Sequence, residues 1–170
     1  MMFSQHDQHS INVTGKFSLF EKIFMGIGFY AITIIGVFGI YMESVIWSLI
    51  YIGFLVLGFL VLLGYGLCSH CPHPYKYSDC LFPPLGQLFK KMYKYRPEPL
   101  TVIDKIAFFI IMGGIVVIPQ YWLFKNYTIL AIFWIFCVPT CAGLLLYECK
   151  KCQNLKCPFN LVKQESGEGS

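Results

Sequence analysis

Residues 23–66 read "IFMGIGFYAITIIGVFGIYMESVIWSLIYIGFLVLGFLVLLGYG". Only Glu43 and Ser44 interrupt 44 otherwise largely apolar positions, and they fall near the middle. Crossing about 30 Å of hydrocarbon takes roughly 20 residues of helix. The stretch therefore reads as two spans, Ile23–Met42 and Val45–Gly66, joined by almost nothing. Ser44 stands where it can cap the second helix.

The same pattern recurs further along, at Ile106–Phe124 and Thr128–Tyr147, joined by "KNY". None of the four stretches contains Asp, Glu, Lys, Arg or His, a strong sign of segments bordering lipid. Composition agrees: 56% of the 170 residues are hydrophobic and 13% charged, against about a quarter charged in a soluble domain. The expected fold is all-α and polytopic, with four transmembrane helices as two antiparallel hairpins (22–66 and 106–147). Around them lie a polar N-terminal tail (1–21), a Cys/His-rich segment (67–105) and a Cys-rich C-terminal tail (148–170). The first span is too long, and its flank too polar and too little basic at the start, for a cleaved secretory signal, so it is expected to be retained.

Four crossings place both termini and the 67–105 segment on one face. Twelve of the thirteen basic residues lie there, and only Lys125 lies opposite. The positive-inside rule then makes that face cytoplasmic and the protein a multi-pass protein of the cytoplasmic membrane.

Six of the eight cysteines share this face: Cys68, Cys71, Cys80, Cys149, Cys152 and Cys157. A reducing cytosol disfavours stable disulfides, which leaves metal ligation or working thiols. "CSHCPHPYKYSDC" (68–80) and "CKKCQNLKCP" (149–158) each open with C-x2-C, and two such knuckles are a common source of four tetrahedral zinc ligands. Cys68, Cys71, Cys149 and Cys152 form the expected zinc site, clamping the inner ends of helices 2 and 4. Cys80, Cys157, His70 and His73 are further or alternate ligands. An iron-sulfur cluster is the rival cofactor, since C-x2-C-x4-C-P approaches a cubane signature but departs from it at the third cysteine. On the opposite orientation, the six cysteines would instead pair as an oxidised cap.

Cys137 and Cys141, inside the last span, stand at i, i+4 and share a helix face. They could relay a soft metal, although cysteine is also a small packing residue. "LGQLFKKMYKY" (85–95) has apolar residues at Leu85, Leu88, Phe89 and Met92, with Lys90, Lys91 and Lys94 between them. It reads as a short amphipathic helix at the membrane interface, lysines toward anionic lipid headgroups. Thr101 and Asp104 have capping-box spacing, and Pro119 should kink the third span.

The two cysteine motifs and the overall topology resemble a family of small, four-helix, cysteine-rich integral membrane proteins, a likeness that implies an architecture and no activity. The pairing of intramembrane and cytoplasmic cysteines is also similar to that of mercuric-ion transporters. This chain lacks their adjacent cysteine pair in the first helix. No catalytic triad, phosphate loop or H-E-x-x-H occurs, and no nucleic-acid module is apparent. The expected role is a membrane scaffold, or a platform for lipid, another membrane protein or a second copy. Soft-metal handling and thiol or iron-sulfur redox chemistry are the alternatives.

Overall fold

A computed structural model describes residues 16–98 and 100–150. All regular structure among them is helical. Four helices are long and apolar enough to cross a membrane: α1 (Leu19–Tyr41), α2 (Val45–His70), α4 (Val102–Leu123) and α5 (Tyr127–Glu148). A short helix, α3 (Leu85–Met92), lies between the second and third.

The outward faces explain why this arrangement belongs in lipid. Ile34, Ile46, Val117 and Ile135 are each about two-thirds exposed, at 65%, 71%, 67% and 66%. Apolar surface on that scale has no stable place in water. The protein is a multi-pass membrane protein.

Each span begins with a local signal. Ser18 and Glu21 form a reciprocal capping box at α1, which lets the helix start before Ile23 and carry Lys22 in its first turn. Thr101 and Asp104 do the same for α4. Asn126 accepts from the N–H groups of Thr128 and Ile129 to open α5. Ser44 occupies the position before α2, but its side chain makes no capping bond.

The interior is built by residues at helical spacing: Ile32 and Ile40 of α1, Tyr51, Leu55 and Leu63 of α2, Ile111 and Ile115 of α4, Phe133 and Cys137 of α5. Helix α5 packs most extensively on α1, and α2 packs on α1 and α4. Close approach between α1 and α5 requires Gly28, where a Cβ would overlap the Thr140 hydroxyl. By contrast, a Cβ at Gly26 or Gly113 would meet nothing within 4 Å.

The break in α4 illustrates how the interior satisfies its polar groups. Pro119 has no N–H, so the Ile115 carbonyl four residues earlier loses its helical partner. Tyr51, buried in α2, donates its hydroxyl to that carbonyl at 3.0 Å. One residue on, Gln120 Nε2 donates to the Val116 carbonyl at 2.8 Å while its Oε1 accepts from the Trp134 indole at 3.3 Å. Regular α-helix is interrupted at Ile118–Pro119, where Pro119 was expected to act, and the freed carbonyl is bonded.

Candidate metal centre

The last turn of α2 sets up the cysteine-rich segment. Its helix tightens at Cys68–His70, and the Cys71 N–H closes the turn on the Cys68 carbonyl at 3.2 Å. Pro72 follows, a turn over His73–Tyr77 comes next, and Ser78 takes a left-handed conformation with φ 50°. This path returns the chain so that Cys71 and Cys80 lie close enough to Cys68 for charge on any one to act on it.

Within this group His70 is held in a defined way. It is 4% exposed, and its Nδ1 lies 2.9 Å from the Gly66 carbonyl. A carbonyl can only accept, so that contact assigns the proton to Nδ1 and leaves Nε2 with a lone pair. Nε2 is buried without a hydrogen-bond partner. An imidazole whose second nitrogen is tied to a backbone carbonyl is the arrangement typical of a metal-ligating histidine.

Cys80 is built differently. Burial pushes its thiol up, and the nearby Asp79 carboxylate adds to this. The backbone N–H groups of Phe82, Gly86 and Leu81 lie near the sulfur and oppose the shift. Gly86, in the first turn of α3, allows this cradle: a Cβ there would overlap Cys80 and stand 2.8 Å from its sulfur.

The surrounding wall comes from all parts of the chain. Phe17 packs at a tilt against the buried His73 ring, centroids 4.7 Å apart, and its N–H donates to Asp79 at 2.7 Å. Lys22 pairs with the other Asp79 oxygen. Burial raises the Asp79 carboxyl, but the Lys22 hydrogen bond, the Phe17 N–H, the Lys22 charge and the Cys80 N–H outweigh it, and the net shift is downward. Phe17, Met25, Leu81, Phe82 and Leu144 make a small second core. That core joins the start of α1 and the end of α5 to the loop carrying Cys80. The Tyr75 hydroxyl, raised by burial and by the charges of Cys68 and Cys71, donates to the Tyr93 carbonyl at 2.8 Å.

The structure thus brings Cys68, Cys71 and Cys80 into one neighbourhood, with His70 in the same turn as the first two. Among the described residues, no three Cys, His, Asp or Glu side chains converge on a point that could hold a metal ion. The Cys149 N–H donates to the Leu144 carbonyl at 2.9 Å; Cys152 and Cys157 lie outside the described residues. No disulfide joins the six cysteines that are described. In α5 the thiols of Cys137 and Cys141 are close neighbours. Cys137 is buried and Cys141 exposed.

The lysine helix follows its sequence pattern in part. Phe89 is buried, 2% exposed, with its ring against Gly64 of α2, and Tyr93 donates to the Leu60 carbonyl at 2.7 Å. Leu88 and Met92 remain exposed, at 42% and 47%. Lys90 donates to Ser78 at 2.9 Å, while Lys91 and Lys94 are exposed.

Sequence reasoning missed three features of this region. Glu148 is buried at the end of α5, 4% exposed. Phe17 and Lys22 dock on the Cys80 loop, which no periodicity could announce. The Ser18–Glu21 capping box was legible as S-x-x-E. No known protein family, curated protein or solved structure matches this chain.

Proposed function

We propose that the protein is a scaffold of the cytoplasmic membrane whose basic, cysteine-rich face holds a structural zinc ion. The observation that carries this reading is the buried His70 Nε2, a lone pair with no partner, on a ring already fixed through Nδ1. Leaving such an acceptor unsatisfied costs about 1–3 kcal/mol. A cation would relieve that cost. Cys68, Cys71 and Cys80 supply nearby thiols; burial holds the Cys80 thiol up, and a bound cation would favour the thiolate that ligates. In this proposal His70 and the thiols of 68–80 share the ion with Cys149, Cys152 or Cys157. Zinc accepts mixed sulfur and nitrogen ligands, whereas an all-cysteine iron-sulfur cluster leaves His70 without a role.

When bound, the ion would cross-link the end of α2 to the C-terminal segment. The chain's own residues supply the rest. The Gly66 carbonyl orients the imidazole, the amides of Leu81, Phe82 and Gly86 hold Cys80, and the Lys22–Asp79 pair anchors the loop to α1.

Cobalt substitution tests this reading. Full-length protein loaded with Co2+ should show the near-ultraviolet absorption of thiolate ligation and the visible bands of a tetrahedral ion. His70→Ala should move the visible bands and weaken binding at least about 10-fold, since even residues that only support a ligand are worth about 10–100-fold. Absence of thiolate bands in the wild type rejects the site; bands identical in His70→Ala reject the role of His70.

A further inference from the structure

Arg96 is a fixed cation without an anion among the described residues. Its N–H donates to the Ser69 carbonyl at 2.9 Å, and its guanidinium lies 4.7 Å from the centre of the Tyr65 ring. Backbone and side chain are thereby both held. Nη1 of the guanidinium is buried without a hydrogen-bond partner. Lys91 and Lys94 precede it, exposed and without an ion pair among the described residues. The acidic groups nearby do not answer this charge. Asp79 is taken by Lys22, Asp104 by the Thr101 capping box, and Glu98, two residues on, is exposed and makes no ion pair among the described residues. A half-buried guanidinium with unmet donors favours a multidentate oxyanion such as phosphate.

The surface beneath it is apolar. Tyr65 is 49% exposed, and Val61 and Leu57, four and eight residues before it and so each about one turn further along α2, are 51% and 65% exposed. The stretch is wound more widely than an α-helix over Gly58–Leu63, so these residues make a stripe on the order of 10 Å long, within one leaflet's hydrocarbon, about 15 Å. The edge is formed by α3 and the residue that follows it: the Tyr93 ring meets Tyr65 at 6.0 Å, and Met92 before it is exposed.

We propose that Arg96, with Lys91 and Lys94, forms a site for one anionic phospholipid. Its phosphate lies at the guanidinium and an acyl chain lies along Tyr65, Val61 and Leu57. The charge excludes a zwitterionic lipid as an equal occupant, and the stripe distinguishes a lipid from a free anion. The site does not depend on the zinc reading, since it uses none of the same side chains.

Native mass spectrometry of the full-length protein from mild detergent tests this, with phosphatidylglycerol, phosphatidylcholine and inorganic phosphate as separate probes. The wild type should retain phosphatidylglycerol in preference to phosphatidylcholine, and Arg96→Gln should weaken that retention at least about tenfold. Should Arg96→Gln fail to fold, the Lys91→Gln/Lys94→Gln double variant tests the same site from exposed positions. Each lysine removed should weaken binding about fivefold, whereas Lys125→Gln, near the Glu43 turn, should bind as the wild type does. The proposal is overturned by equal retention of the two lipids. Wild-type retention in the Arg96→Gln variant or in the double variant also overturns it. Retention of inorganic phosphate alone equal to that of phosphatidylglycerol overturns the lipid as occupant.

Discussion

The two ends of the helix bundle solve the same problem by different means. Where α1 meets α2 and α4 meets α5, the connections are short, Met42 to Ser44 and Phe124 to Asn126. They are held by an exposed Glu43–Lys125 pair at 2.8 Å and by Trp47 against Trp122 at 5.7 Å. A small cavity of about 90 Å³ lies beside them, lined by Gly39, Trp122 and Asn126 among others. At the other end a long segment folds over the bundle with His70, His73, Asp104 and Glu148 all buried and the Asp79 side chain 11% exposed. Burying such groups is costly without partners. A simple turn at one end shows that the helices need no elaborate closure. The polar structure at the other end therefore points to a task beyond joining helices.

This contrast can be sharpened by substitutions, beginning with the largest expected effect. Phe89→Ala removes the ring that seals α3 against Gly64 and should cost about 3–5 kcal/mol, read as a lower unfolding midpoint in a denaturant series in mixed micelles. If the cysteine-rich segment were loosely attached, the midpoint would hardly move.

Asp79→Asn should come next. It removes the carboxylate that takes both the Phe17 N–H and Lys22, at about 1–3 kcal/mol. The sign of its pH dependence follows from a folded-state pKa below the ordinary carboxylate value. The stabilisation is complete above the unfolded pKa, near ~4, and is lost as pH falls through the depressed folded value. The stability curves of the wild type and of the Asp79→Asn variant should therefore converge in acid; a constant gap would show that Asp79 acts by packing alone.

Tyr51→Phe leaves the Ile115 carbonyl without its donor opposite Pro119. The expected loss is about 1 kcal/mol, since polar contacts inside membranes are individually modest. A matching Pro119→Ala change, which restores an N–H, should recover part of it; no recovery would separate the two residues.

Smallest of all should be Lys125→Gln. The Glu43 hydrogen bond and charge raise the Lys125 ammonium, so any contribution is present below the ordinary lysine pKa and fades in strong alkali. The pair is exposed, and such pairs count for little. A thermal midpoint indistinguishable from the wild type is expected, and a loss as large as that of Asp79→Asn would erase the contrast between the ends.

The spans were legible because lipid imposes one simple requirement, a run of about 20 uncharged residues. Their ends were less so. Helix α1 starts at Leu19 because the Ser18–Glu21 box tolerates charge in its first turn, and α2 continues to His70 because the helix tightens without ending. The short connections announced that α1 neighbours α2, but not that α5 packs most broadly on α1. Uniformly apolar faces carry no pairing code, and the broad contact of α5 with α1 depends on fits such as Gly28 against Thr140. In the cysteine-rich segment, C-x2-C spacing located Cys68 and Cys71 and drew attention to His70. That the imidazole is fixed through Gly66, or that three amides surround Cys80, depends on turns around prolines that no periodicity encodes. The expected use of Cys149 and Cys152 rests on spacing, with Cys152 beyond the described residues.

The most direct test of the central claim is the metal content of the full-length protein, purified in detergent without chelator. The wild type is compared with a variant carrying Cys68→Ser, Cys71→Ser, Cys80→Ser and His70→Ala together. The account predicts about one zinc per chain in the wild type, together with a drop in thermal stability on chelation, and neither in the variant. Wild-type protein that binds no zinc, or a variant that keeps its zinc and responds equally to chelation, would contradict it.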